Sequence, residues 1–372
     1  MIKYLEGNCI DKMKELEDNS IDCVVSSPPY FGLRDYGTAQ WQGGDPNCDH
    51  SINDKGIDSK KNKLIERTAQ HFNWSKCIKC GAKRIDEQFG LEPTYRDYIA
   101  NTVKVFETFK PKLKDTATIW WNVGDSYASF RPMGTSDNGQ YKSGLTGNRY
   151  ATHLKLNDIG RSGKTSKVPG NHYRGRGKIS GCLKPKDLLM IPNRVAIALQ
   201  EAGWYIRSEI IWHKPNPMPE SVRDRPTSCH EKIWLITKNK KYYYDAESIK
   251  EPTKTKPAKR NKMGEGYQAD YTKGKRFSEG ERVWGSLLKN KRNVWTVTTK
   301  PFKGAHFATF PKDLIEPCIK AGCPEGGIVL DPFAGAGTTG LVAKENNRDA
   351  ILIELNGEYL AMAKKRIEKV LI

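Results

Sequence analysis

The sequence predicts an α/β protein built on a parallel sheet, and three observations carry this. Apolar runs of strand length alternate along the chain with helix-length amphipathic segments. The C-terminal part reads strand, glycine turn, helix, strand, helix: Ile328 to Leu330, Asp331 to Gly337, Thr338 to Lys344, Ala350 to Glu354 and Tyr359 to Leu371. The apolar run Ile21 to Val25 stops at Ser26-Ser27-Pro28-Pro29-Tyr30, where two prolines end any ladder.

In chain order, the opening reads strand, helix, strand, with a short polar helix over Asp11 to Leu16 ahead of Ile21. From Phe31 to about Gln88 the periodicity disappears, and so long an unpatterned segment in a compact domain is usually functional. Pro93 to Leu113 reads as an amphipathic helix, with Tyr98, Val105, Phe106, Phe109 and Leu113 on one face. Thr118 to Val123 is a strand. Ser129 to Ser180 is rich in Gly, Ser, Thr, Arg and Lys and reads as a long basic loop. Pro185 opens a helix that runs through Leu199 and closes at Gly203. Strands at Tyr205 to Trp212 and Ile233 to Thr237 flank a proline-rich turn, and a second basic stretch covers Lys254 to Arg282.

The chain has 372 residues, enough for one large catalytic domain with insertions. Its 62 Lys and Arg outnumber its 43 Asp and Glu, giving a formal net charge of +19. That excess favours a polyanionic partner, nucleic acid before an anionic membrane. No apolar run approaches the length of a membrane span, and Met1 to Glu6 lacks the layout of a secretory signal, so a cytoplasmic protein is expected. Nine cysteines, an odd number in a chain of this length, argue against a secreted disulfide framework. Cys9, Cys23, Cys182, Cys229, Cys318 and Cys323 are isolated in apolar settings and read as small buried hydrophobes.

The turn Asp331-Pro332-Phe333-Ala334-Gly335-Ala336-Gly337 joins an apolar strand to a helix. Its glycines let the backbone turn sharply and approach a ligand. Glu354 ends the next strand, where an acidic side chain can bond ribose hydroxyls. A phosphate loop would need Lys-Ser/Thr after Gly340, and Leu341-Val342 stands there. Taken alone, the turn remains open to a dinucleotide, since Gly335 to Gly340 has G-x-G-x-x-G spacing. It is also open to S-adenosylmethionine and to a tight turn without any ligand.

Ser27-Pro28-Pro29-Tyr30 lies at the carboxyl end of its strand, where open α/β sheets place ligands. An exocyclic amine on a base is a poor nucleophile because its lone pair is delocalised into the ring. Acceptors aimed at its hydrogens localise that lone pair toward an incoming methyl. The Ser27 hydroxyl and the Pro28 carbonyl can both accept, Pro28-Pro29 stiffens the backbone, and Tyr30 offers a ring face to a base taken out of the stack. The alternative is a proline-rich exit from a strand into a loop.

Together the two elements resemble the amino-methyltransferase family of DNA methyltransferases, with D/N/S-P-P-Y/F/W as catalytic motif and F-x-G-x-G as cofactor motif. Here they are Ser27 to Tyr30 and Phe333 to Gly337, in the order of the beta class. His306-Phe307-Ala308-Thr309-Phe310-Pro311 resembles the family segment that packs against the cofactor. The resemblance implies a Rossmann-like S-adenosylmethionine-dependent methyltransferase sheet with a circularly permuted motif order. It implies a site-specific enzyme that flips one base of double-stranded DNA and methylates its amino group. Asp331, Phe333, Ala334, Gly335 and Gly337 would line the methionine side of the cofactor, Glu354 would hold its ribose, and Phe310 would pack beside it. Members usually carry Gly-Asp near the N-terminus, where the Asp meets the adenine end. Here Gly7-Asn8 stands instead, and Asn8 can still bond an adenine edge. Ser-Pro-Pro-Tyr tends to mark N4-cytosine enzymes and Asp-Pro-Pro-Tyr N6-adenine enzymes, so cytosine is favoured and adenine is the alternative. An RNA or protein methyltransferase and a catalytically silent DNA-binding module are more distant readings. A bacterial or phage origin, a cognate restriction endonuclease as partner, and a monomer or homodimer are the corresponding expectations.

Cys48-Asp49-His50 and Cys77-Ile78-Lys79-Cys80 supply three thiolates and an imidazole, a set suited to a closed tetrahedral zinc site within an insertion over 40–88. Four protein ligands leave no open position, so the expected metal is structural, and His71 is a substitute ligand. The basic stretches 130–182 and 250–290 are the candidate target-recognition region. Trp212 and Trp295 are expected in the core, and Arg223 is placed to pair with Glu220 or Asp224. His230-Glu231 invites an acid–base reading that methyl transfer does not require.

Overall fold

The computed structural model describes residues 1–33, 36, 38–50, 77, 79–128, 183, 184, 186–253, 258, 259, 283, 284, 288–299 and 309–369. Its centre is an eight-stranded sheet. In chain order the strands are β1 (Ile2–Glu6), β2 (Ile21–Ser26), β3 (Leu113–Val123), β4 (Tyr205–His213), β5 (His230–Thr237), β6 (Val294–Thr296), β7 (Ile328–Asp331) and β8 (Asp349–Glu354). Across the sheet the order is β1-β8-β7-β2-β3-β5-β4-β6. β5 runs antiparallel to both neighbours, while every other pairing in the sheet is parallel.

Every residue of β2 is buried, as expected of a strand covered on both faces. The helices are α1 (Cys9–Lys14), α2 (Tyr95–Phe109), α3 (Ile191–Glu201), α4 (Lys312–Gly322), α5 (Thr338–Glu345) and α6 (Gly357–Glu368). Met13, Tyr98, Phe106, Phe109, Val195 and Leu199 from α1 to α3 close one core against the sheet. Leu314, Ile319, Leu341, Val342 and Ile367 from α4 to α6 close a second. The result is a layered α/β/α arrangement around a mixed sheet.

Local chemistry moves several boundaries. α2 begins after Thr94 rather than at Pro93, because Thr94 and Asp97 form a reciprocal capping box. It ends at Phe109, since Pro111 enforces a 3-10 turn and Leu113 already belongs to β3. α3 begins at Ile191, not Pro185. The backbone of residues 186–189 bonds instead to residues 126–128, through Lys186 N to Ala128 O and Leu189 N to Ser126 O. α4 was not expected, because Pro317 sits in its middle. Trp212 and Trp295 are buried as expected. Arg225, not Arg223, pairs with Glu220 at 2.7 Å, and Asp224 is taken by Lys186.

Among the described residues no helix is long and apolar enough to cross a membrane. The stretch 130–182, most of 250–290, His71, and His306 to Ala308 lie outside the described residues.

The parallel pairing of β7 with β2 matters most for the site. Val329 aligns with Cys23 and Leu330 with Val24. The C-terminal glycine turn and the N-terminal Ser-Pro-Pro-Tyr loop therefore leave adjacent strands at the same edge of the sheet.

Candidate active site

The Ser27-Pro28-Pro29-Tyr30 loop is held from several sides. Tyr98 of α2 donates from its hydroxyl to the Pro29 carbonyl at 3.2 Å. Gly90 lies so close that a Cβ there would sit 3.1 Å from the Pro29 carbonyl oxygen and side chain. Its carbonyl accepts from the Gly32 amide at 2.8 Å. The Ser27 hydroxyl donates to the Tyr30 hydroxyl at 3.2 Å, which donates in turn to Glu231 Oε2 at 2.6 Å and lies 3.1 Å from Asn122 Oδ1. Burial, with the Glu231 carboxylate second, pushes the Tyr30 phenol well above its ordinary pKa, so it stays a neutral donor. Gly124, at the end of β3, backs the Tyr30 ring: a Cβ would fall 2.5 Å from Cε2.

The glycine turn is tied to this loop by one side chain. Asp331 is 1 % exposed. Its Oδ1 accepts from Ser26 Oγ at 2.6 Å and from the Phe333 amide at 3.0 Å, and its Oδ2 from Thr339 Oγ1 at 2.6 Å. Burial raises its carboxyl to about 6 despite these donors. Phe333 continues the link through an aromatic row, with Phe89 at 5.1 Å and Phe89 in turn 4.9 Å from Tyr98. Glu354, at the end of β8, accepts from the Gly335 amide at 2.8 Å and the Asn356 amide at 3.0 Å. Burial raises its carboxyl as well. Gly335 has φ +50 and faces open space, whereas Gly337, at φ +71, abuts Ala363.

Of two further predicted residues, one lies near this edge and the other on a neighbouring core. β1 pairs with β8 so that Glu6 aligns with Glu354, which brings Asn8 beside the acidic residue. Asn8 caps α1 through Oδ1 and points Nδ2 toward Glu87, 3.4 Å away. Phe310 packs on the core of the α4 to α6 side, which also contains Ala334.

Cys48, His50, Cys77 and Cys80 also converge, with one ligand atom from each within 4.8 Å of the others. Cys48 and Cys77 sulfurs are 3.9 Å apart, and His50 Nδ1 is 3.4 Å from the Cys80 sulfur. A short antiparallel pair, Gln40–Gln42 with Lys83–Ile85, brings the two halves together. Trp41 stacks on His50 at 4.8 Å, and Gly44 leaves no room for a side chain beside the Cys80 sulfur. The Cys77 thiol is drawn down to about 6, first by its hydrogen bond with His50.

A family model described as DNA methylase matches residues 21–365 of the chain. The chain belongs to the DNA methylase family. Among curated relatives, this methylase is 37% identical to the type II methyltransferase M.SmaI of Serratia marcescens, over 98% of this chain and 90% of that one. It is 36% identical to M.XycI of Xanthomonas campestris pv. cyanopsidis, over 98% of this chain and 86% of that one. In fold it is similar to the solved PvuII DNA methyltransferase (cytosine-N4-specific), with TM-score 0.53 and 15% identity over 99% of this chain and 87% of that one. It is a DNA methyltransferase of the N4/N6 amino group.

Sequence reasoning missed part of this methylase's site. Glu231 was noted and given no task, yet it holds the Tyr30 hydroxyl and pairs with Lys214. Because β5 is antiparallel, its first residues arrive at the edge where the parallel strands end. Gly124 and Tyr98 carried no signal beyond helix and strand pattern.

Proposed function

We propose that this methylase transfers the methyl of S-adenosylmethionine to the exocyclic amino nitrogen of a base flipped from duplex DNA, cytosine N4 rather than adenine N6. The observation that carries the reading is the 2.6 Å bond from Ser26 to Asp331, which fastens the Ser-Pro-Pro-Tyr loop beside the glycine turn. The residues fit the cofactor. Gly335 has a left-handed φ and open space where a side chain would stand, so the backbone can be approached closely. Glu354 offers its carboxylate at the end of the neighbouring strand for ribose hydroxyls. Asp331 and Phe333 shape the turn with Ala334 and Gly337, while Phe310 and Asn8 extend the site. When bound, the cofactor supplies a methyl on a sulfonium, itself a good leaving group.

The chain's own residues then have three tasks. The Ser27 hydroxyl and the Pro28 carbonyl accept from the amine hydrogens and turn its lone pair out of the ring. Pro29, locked by Tyr98, keeps that carbonyl in place. Tyr30 offers its ring to stack on the base. Positioning supplies most of the rate, because no enzyme nucleophile is needed. The cytosine preference rests on Ser27, a neutral hydroxyl where N6-adenine members carry Asp.

The whole chain, 1–372, acts as one catalytic domain with a circularly permuted motif order. Residues 40–88 form an insertion that holds structural zinc through Cys48, His50, Cys77 and Cys80. The donor spacing suits a tetrahedral ion, and the Cys77 carbonyl accepting from the Gly81 amide at 2.9 Å forms the knuckle turn. The basic stretches 130–182 and 250–290 read the target. The enzyme is cytoplasmic, bacterial or phage-encoded, a monomer or homodimer, and works opposite a cognate restriction endonuclease.

The test is to incubate the protein with methyl-labelled cofactor and DNA, RNA or protein, digest, and identify the modified product by mass. N4-methylcytosine from DNA is expected. N6-methyladenine would overturn the base assignment, and label confined to RNA or protein would overturn the substrate class.

A further inference from the structure

Amine methylation leaves a surplus proton on the nitrogen, and neither acceptor in the Ser-Pro-Pro-Tyr loop can keep it. A serine hydroxyl and a peptide carbonyl are both very weak bases. The Glu231 carboxylate connects to Ser27 through one side chain. Ser27 Oγ donates to Tyr30 Oη at 3.2 Å, and Tyr30 Oη donates to Glu231 Oε2 at 2.6 Å. The donors are already ordered away from the base and toward the carboxylate. The path is sheltered, with the Glu231 and Lys214 side chains 16 % and 18 % exposed. Lys214 pairs with the other oxygen, Oε1, and its ammonium lies 4.3 Å from the centre of the Trp212 ring, which fixes the far end. Asn122 Oδ1, 3.1 Å from Tyr30 Oη, steadies the middle while its own amide donates to the Lys232 carbonyl.

We propose that Ser27, Tyr30 and Glu231 form a proton relay that carries the amine proton out of the site, with Glu231 its terminal acceptor and Lys214 its anchor. This rests on amino-methyl transfer at Ser27. As the nitrogen lone pair forms the new N–C bond, the electron pair of the breaking C–S bond returns to sulfur. The amine proton passes to Ser27 Oγ, the Ser27 proton to Tyr30 Oη, and the Tyr30 proton to Glu231 Oε2. Serine and tyrosine end neutral and unchanged. The positive charge of the sulfonium and the negative charge of Glu231 disappear together. Glu231 touches neither base nor cofactor and acts only through Tyr30, as a positioning and proton-accepting residue.

Single-turnover transfer to duplex DNA tests this with Glu231→Gln, Tyr30→Phe and the double variant. Each single change is expected to slow transfer about a hundredfold, in the range of lost acid–base assistance, with DNA and cofactor affinity unchanged. The double variant should be no slower than Tyr30→Phe, because one path is broken twice. Glu231→Ala should regain rate when formate is added, which a packing role would not allow. Should Glu231→Gln fail to fold, Tyr30→Phe still decides, since it leaves the Glu231–Lys214 pair intact. Wild-type rate in Glu231→Gln, losses that multiply, or affinities falling in parallel would overturn the relay. An inactive wild type would instead overturn the underlying reading of the site.

Discussion

Asp331 is a carboxylate almost without water, surrounded by donors from three places: Ser26 on β2, Thr339 on α5 and the Phe333 amide. Its carboxyl is raised to about 6 from the ordinary 3.8 by burial. A raised carboxylate stabilises the fold fully below its unfolded value and loses that contribution as pH rises through about 6. Asp331→Asn keeps the shape, removes the charge and can still bond Thr339. The variant's unfolding free energy relative to wild type is expected to climb by ~2 kcal/mol between pH 4 and pH 7, measured by urea melts at each pH. A difference that stays flat would show that Asp331 is not the buried charge described. Ser27→Ala makes a separate prediction at this scale. It removes an acceptor from the amine and should cut transfer by one to two orders of magnitude while cofactor binding, followed by calorimetry, stays near normal. Unchanged turnover would remove Ser27 from its role. The motif residues were legible because their types are unusual: two prolines ending a strand, glycines opening a helix. Glu231 was not, because a glutamate before an apolar strand looks like any solvated residue until the direction of β5 is known.

Elements, rather than single side chains, separate the two glycines of the turn. Gly335 and Gly337 both have positive φ, but only Gly337 faces neighbours: a Cβ would fall 2.6 Å from the Ala363 Cβ on α6. Gly337→Ala should destabilise the packing of α5 on α6 by about 2–3 kcal/mol, from left-handed strain of ~1 kcal/mol plus overpacking of ~1 kcal/mol or more. Gly335→Val should leave melting much closer to wild type, carrying only the strain, and abolish cofactor binding by occupying the open side of the turn. Equal melting of the two variants would contradict this division. The cysteine hairpin makes its own prediction. Protein purified without chelator should carry one zinc per chain. Removing it should expose the 40–88 segment to protease while the central sheet, measured by far-UV circular dichroism, persists. Absence of zinc would end that assignment. The convergence of Cys48, His50, Cys77 and Cys80 was legible because C-x-H with C-x-x-C is a spacing typical of ligand sets. Helix α4 was not legible, since Pro317 reads locally as a breaker and only tertiary packing of Leu314, Cys318 and Ile319 overrides it.

At the scale of the whole molecule, the sheet order does what neither end of the chain can do alone. β7 arrives from the C-terminal part and inserts between β8 and β2. Residues three hundred positions apart thereby share one edge, as the 305-residue separation of the Ser26–Asp331 bond shows. The alternation of strands and helices made a parallel sheet legible from sequence. The neighbours of each strand were not legible from periodicity, because period and length say nothing about order. The juxtaposition came from the resemblance of the two motifs to one family, and the antiparallel β5 came only with the structure. The most direct measurement is a structure of the protein with duplex DNA and a cofactor analogue that carries an amine in place of the transferable methyl. One cytosine should be out of the helix against the ring of Tyr30. Its amino nitrogen should bond Ser27 Oγ and the Pro28 carbonyl, with the analogue on the Gly335 turn. A base still stacked in the duplex with the analogue bound elsewhere would contradict the account.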